Sequence, residues 1–161
     1  MPKPVLFLPP LLVIILDQIT KILALKYFAA GPVAVLPFFS LVLVHNTGIR
    51  FGLFNHGGTA GPLILTAASL LIAVGFGVWM TKVENRPLAV SIGAVIGGAL
   101  GNVIDRVRFG AVIDFLDFHL GDLHWPAFNV ADSCIVMGIA FIVLDGLLFE
   151  PKRKKPGTSP S

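Results

Sequence analysis

LAVSIGAVIGGALGNVID, residues 88–105, runs without a charge until it ends on a carboxylate. Ala89, Gly93, Gly97, Gly101 and Asp105 recur at intervals of four, so they share one face of a helix. That face is smooth for five turns. Small residues at this spacing let neighbouring backbones approach closely, a packing device of helices in lipid. A span needs about 20 mostly apolar residues to cross the hydrocarbon, and residues 88–104 read as one.

The rest of the chain fits the same solvent. Of its 161 residues 55% are hydrophobic and 13% charged, and the mean hydropathy is +0.87. A soluble domain of this length would need far more polar surface. Three further spans are read at residues 10–28, 60–80 and 129–149. The first carries Asp17, Gln18 and Lys21, the second no charge, and the fourth Asp132 near its start and Asp145 near its end. Residues 1–150 form one polytopic domain, and 151–161 a disordered basic tail around Lys152-Arg153-Lys154-Lys155. The first span is expected to stay as an anchor, because Asp17 and Lys21 stand where a cleavable signal would place small residues.

Lysine and arginine in short flanks set orientation. Lys3, Lys82, Arg86 and the tail put seven of the 12 basic residues on one side. Both termini are therefore expected in the cytoplasm, with the long connections 29–59 and 105–128 outside. The net charge of +3 is not spread along a soluble face, which argues against nucleic acid as a partner. Cys134 stands alone, so an internal disulfide and a multi-cysteine metal site are both excluded. The segment 33–44 is rich in β-branched and aromatic residues, and Asn46-Thr47-Gly48 reads as a turn. A small sheet on the membrane surface is expected there rather than a fifth span.

Ionisable groups in spans cost free energy, so their placement is informative. Asp17 and Lys21 stand four apart with the acid first, the favoured order for an ion pair. Asn102, Asp105 and Arg106 cluster where the glycine stripe reaches the outer interface; Asp105 and Arg106 can satisfy each other there. Asp114 and Asp132 lack an obvious basic neighbour. Asp114 is embedded in Val112-Ile113-Asp114-Phe115; Asp132 lies in the first turn of the fourth span, three residues from Asn129. Two carboxyls sharing an apolar site cannot both ionise. The ionised one draws a proton from water and the neutral one polarises a peptide carbonyl, hydrolysing an amide without metal, serine or cysteine. On spacing alone, a helix-capping role for Asp132, which its first-turn position rewards, is favoured over the dyad.

Other chemistries have less behind them. Ser91, Ser133 and Cys134 have no nearby histidine in sequence to act as base. The four histidines form no H-E-x-x-H arrangement, so zinc is not expected. His124-Trp125 and Phe128 suit an interfacial aromatic belt. A transporter or channel relaying protons would place acids at mid-membrane, whereas Asp17, Asp105, Asp114 and Asp132 map at or near the outer face and Asp145 toward the cytoplasmic side. An inverted repeat is not visible either. A membrane scaffold would leave the outer polar cluster unexplained.

Asp17-Gln18-Ile19-Thr20-Lys21, Asn46-Thr47-Gly48 with Phe51, Gly97 to Arg106, Val112-Ile113-Asp114-Phe115 and Phe128-Asn129-Val130-Ala131-Asp132 occur in this order. Together they resemble the motif blocks of the bacterial lipoprotein signal peptidases (signal peptidase II), over nearly the whole chain outside the tail. The resemblance implies an inner-membrane aspartyl endopeptidase of four transmembrane helices with an extracytoplasmic β-cradle. It needs no cofactor and is the target of globomycin. Its substrates are prolipoproteins carrying a diacylglyceryl group, cut just before the lipidated cysteine. By motif position Asp114 and Asp132 are the catalytic dyad. Asp17, Lys21, Asn46, Gly48, Asn102, Asp105, Arg106, Asn129 and Ala131 support it. Membrane lipids are the other partners, and a monomer is expected. One departure is visible: Ile49-Arg50 follows Gly48 where the family usually has small residues, and His45 stands where arginine is frequent. Substrate contacts in the cradle are expected to differ there.

Overall fold

The computed structural model describes residues 7–48 and 60–148. Ile49, Arg50, Phe51 and the basic tail therefore lie outside the described residues. Among the described residues four helices are long and apolar enough to span a membrane: α1 (Leu8–Tyr27), α2 (Ala60–Met80), α3 (Arg86–Phe109) and α4 (Val130–Leu148). Proline in the first turn starts both α1 and α3, where its missing N–H has no intrahelical partner to lose. α3 ends on Gly110 at φ 70°, a left-handed conformation that glycine adopts freely. It thus runs past residue 104, carrying Asp105 and Arg106 inside its last turns.

α3 is the central helix. Two thirds of its most apolar stretch is buried, against about a fifth or less for the other three. Its small residues explain how it fits among neighbours. A Cβ on Gly97 would lie 2.6 Å from the Pro10 carbonyl oxygen of α1, and one on Gly98 2.5 Å from the Ala131 carbonyl oxygen of α4. A Cβ on Gly101 would meet the Asp17 carboxylate at 2.6 Å. The opposite side packs Ile92, Ile96 and Ala99 against Ala73 and Met80 of α2.

The connections build one antiparallel sheet in the order β1 (Val33–Leu36), β2 (Phe39–Asn46), β3 (Val112–Leu120), β4 (Leu123–His124). The expected strand segment after α1 is a hairpin, turning at Pro37-Phe38. The turn read at Asn46-Thr47-Gly48 follows from the last residue of β2. There the Gly48 N–H, at φ 77°, donates to Asn46 Oδ1 at 2.8 Å, a local turn that the asparagine side chain makes for itself. Half of the sheet comes from the connection between α3 and α4. Its strand β3 pairs with β2 through Val44↔Asp114 and Asn46↔Val112, which leaves Asp114 at the end of the sheet that follows α3.

Candidate active site

α4 begins with a reciprocal cap. Asn129 Oδ1 accepts the Asp132 N–H at 2.9 Å, and Asp132 Oδ2 accepts the Asn129 N–H at 3.3 Å. This is a capping box with aspartate in the third position. The capping role weighed for Asp132 is therefore real, and it leaves the other carboxylate oxygen available. That atom, Oδ1, accepts from Asn102 Nδ2 at 2.8 Å.

Asp114 reaches the same spot from the sheet. Its Oδ1 accepts from Asn129 Nδ2 at 2.7 Å and its Oδ2 from Asn46 Nδ2 at 2.8 Å. One residue, Asn129, therefore hydrogen-bonds both aspartates. Its amide has a fixed polarity: the oxygen faces a backbone donor, so the nitrogen must face Asp114. Asp114 is 1% exposed, whereas Asp132 is half-buried. Burial pushes the Asp114 carboxyl from 3.8 up to about 6; the negative Asp132 adds to the rise, while the Asn46 and Asn129 bonds and the Lys21 charge oppose it.

Beneath the two aspartates lies a buried ionic group. Lys21 Nζ is 2.8 Å from Asp17 Oδ2 and 2.7 Å from Asp105 Oδ2, and it donates to Asn102 Oδ1 at 3.0 Å. The expected pair of Asp17 and Lys21 is there, but Lys21 also takes the acid that the sequence paired with Arg106. The Asp105 oxygens are occupied by Lys21, by Gln18 Nε2 at 2.9 Å and by the Ile113 N–H at 3.2 Å. Arg106 Nη1 approaches the Asn102 carbonyl at 3.5 Å, and its Nε is buried without a hydrogen-bond partner.

All nine supporting residues named from the sequence thus fall at or under the aspartates. Gly48 does so through its turn on Asn46, and Ala131 through its N–H, which Asp17 Oδ1 accepts at 3.0 Å. Gln18 was missed as a site residue. It joins Asp17, Asp105 and the Gly101 carbonyl, and receives a bond from Arg108 at 3.2 Å. Its place one residue from Asp17 was the available signal. Ser91 and Ser133 spend their hydroxyls on carbonyls one turn back in their own helices. Asp145 lies at the other end of α4, where Asn85 donates to it at 3.3 Å.

The family model described as signal peptidase (SPase) II matches residues 10–148. The chain belongs to the signal peptidase II family. Among its relatives, the lipoprotein signal peptidase of Methylobacterium radiotolerans is 41% identical over 153 residues, covering 93% of this chain and 88% of that one. That of Thermodesulfovibrio yellowstonii is 46% identical over 137 residues, covering 84% and 90%. A solved bacterial membrane enzyme, determined by the in meso method at 1.9 Å, superimposes with a TM-score of 0.78 at 28% identity, over 91% of this chain and 94% of that one. As a signal peptidase II protein the chain is a membrane-embedded, multi-pass peptidase. Nothing in these comparisons favours the transporter reading.

Proposed function

We propose that this protein removes the signal peptide from diacylglyceryl-modified prolipoproteins, cutting just before the lipidated cysteine, with Asp114 and Asp132 as the catalytic dyad. Family membership supports the reaction. The observation that carries the dyad is the single Asn129 side chain, which donates to the Asp114 carboxylate on the sheet and accepts the backbone N–H of Asp132 in the first turn of α4.

The two acids divide the work by environment. Asp132 takes the part of the base: it is half-buried and sits in a helix's first turn, where the dipole favours an anion. Asp114, nearly without solvent, holds the proton. Asp132 takes a proton from water, the hydroxide oxygen attacks the scissile carbonyl carbon, and the Asp114 proton goes to the carbonyl oxygen. Collapse of the tetrahedral intermediate breaks the C–N bond. The leaving nitrogen takes the proton from Asp132, and the hydroxyl proton returns to Asp114. The products are the signal peptide's new carboxyl end and a free amine on the lipidated cysteine. The unpartnered Arg106 Nε–H suits a backbone carbonyl of the substrate.

The protein lies in the bacterial inner membrane as a monomer, with both termini cytoplasmic and the dyad toward the outer face. The excess of lysine and arginine at the α2–α3 connection and in the tail supports that orientation. The acyl chains stay toward lipid while the scissile bond enters at the interface. Purified protein and a lipidated preprotein, followed by gel mobility, test the dyad. Asp114→Asn and Asp132→Asn should each abolish the shift, and either variant cleaving at wild-type rate overturns the reading.

A further inference from the structure

We propose that Lys21 sets the spacing of the two aspartates, as a positioning residue that ties together two backbone clamps. The inference rests on the dyad reading above. Asp17 Oδ1 accepts the N–H of Ala131 at 3.0 Å, and Ala131 immediately precedes Asp132. Asp105 Oδ2 accepts the N–H of Ile113 at 3.2 Å, and Ile113 immediately precedes Asp114. Each carboxylate of the ionic group therefore grips the peptide unit next to one dyad residue, and Lys21 joins the grips at 2.8 and 2.7 Å.

The third N–H of the ammonium goes to Asn102 Oδ1, which uses all three of its donors. An ammonium cannot accept, so Asn102 must present its oxygen to Lys21 and its nitrogen to Asp132 Oδ1, 2.8 Å away. Lys21 thus holds Asp132 twice, through its backbone and through one carboxylate oxygen. Charge balance alone does not explain the arrangement. One acid neutralises a buried lysine, and a second buried acid costs free energy unless its geometry is used. The close fit is built in, since a Cβ on Gly101 would lie 2.6 Å from the Asp17 oxygen that faces Lys21.

Spacing has its own signature. Two carboxyls that share a proton titrate in two steps, and the gap between the steps grows as they approach. The limbs of a bell-shaped rate profile report that gap. The test is the Asp17→Asn/Lys21→Met double variant. It leaves the net charge of the group unchanged, since one acid and the lysine go together, and keeps an oxygen for the Ala131 N–H, so it removes the tie and leaves the Asp17 clamp its acceptor. We expect a folded protein whose kcat falls about 100-fold, as for a displacement near 1 Å, while KM stays within about twofold. The bell should narrow as its limbs close up. A folded double variant with wild-type kcat and bell width overturns the proposal.

Should the double variant not fold, Asp17→Asn alone leaves Lys21 neutralised by Asp105. It is expected to lose about tenfold in kcat with a narrower bell, and an unchanged bell overturns the proposal. The two readings fail separately. Cleavage by Asp132→Asn sinks the dyad itself, whereas an inactive Asp132→Asn beside an unaltered Lys21 variant profile sinks only the spacing role.

Discussion

Burial of the Asp114 side chain makes its contribution to stability depend on pH. Its carboxyl is pushed from 3.8 up to about 6, chiefly by burial and further by Asp132. The folded protein therefore holds a proton that the unfolded chain has already released between those values. Stability from this group is greatest at the acid end, falls as pH rises through that window, and is level above it. Asp114→Asn has nothing to titrate there. Thermal unfolding in detergent from about pH 4 to pH 8 should show the Tm difference between wild type and variant changing below about pH 6 and constant above it. Parallel curves throughout would show that Asp114 is not held in its neutral form.

At the same scale, residues near each other in sequence were legible and distant ones were not. Asp17 and Lys21 are one turn apart, so their pairing follows from helix geometry. The Lys21–Asp105 and Asn46–Asp114 contacts join different elements, and no local periodicity encodes them. Arg106 was the neighbour offered to Asp105 because it was adjacent in the chain. Tertiary packing gave Asp105 a partner from α1 instead. Cap and catalytic acid are compatible roles for Asp132, because the capping bond and the bond from Asn102 use different oxygens.

Among the elements, the helices could be read because lipid demands long apolar runs, and the glycine stripe because its period matches a helix face. β3 was not read as a strand. Val112-Ile113-Asp114-Phe115 is short and carries an acid, and its pairing with β2 is made across two intervening helices. The stripe itself makes a prediction. Gly98 lies against the Ala131 carbonyl oxygen and Ile135, atoms of α4 that cannot move without shifting Asp132. Gly98→Ala should cost about 1–3 kcal/mol through overpacking and lower cleavage as well. Gly75→Ala, with nothing within 4 Å of the added Cβ, should be neutral or stabilise by up to about 1 kcal/mol. Unfolding in mixed micelles checks both, and equal effects would remove the close-packing account of α3.

The whole molecule is arranged for a lipid solvent. Large apolar side chains such as Leu71, Val74 and Val136 are exposed on the helices, while Asp17, Lys21 and Asp105 are almost fully buried. In water that distribution would leave extensive apolar surface uncovered; in a bilayer it satisfies both solvents at once. The ionic group sits where α1, α3 and the sheet meet, so the end of the bundle bearing the sheet is the end bearing the proposed dyad. Which compartment that end faces follows from lysine and arginine. In a Cys134→Ser background, Asp122→Cys in the β3–β4 turn should react with a membrane-impermeant thiol reagent in intact spheroplasts. Thr81→Cys, beside Lys82 at the other end of α2, should react only after permeabilisation. Both positions are exposed to solvent or headgroups, so access is decided by the side of the membrane rather than by burial. The reverse labelling pattern would turn the protein over, placing the dyad at the cytoplasmic face and ruling out cleavage on the outer side.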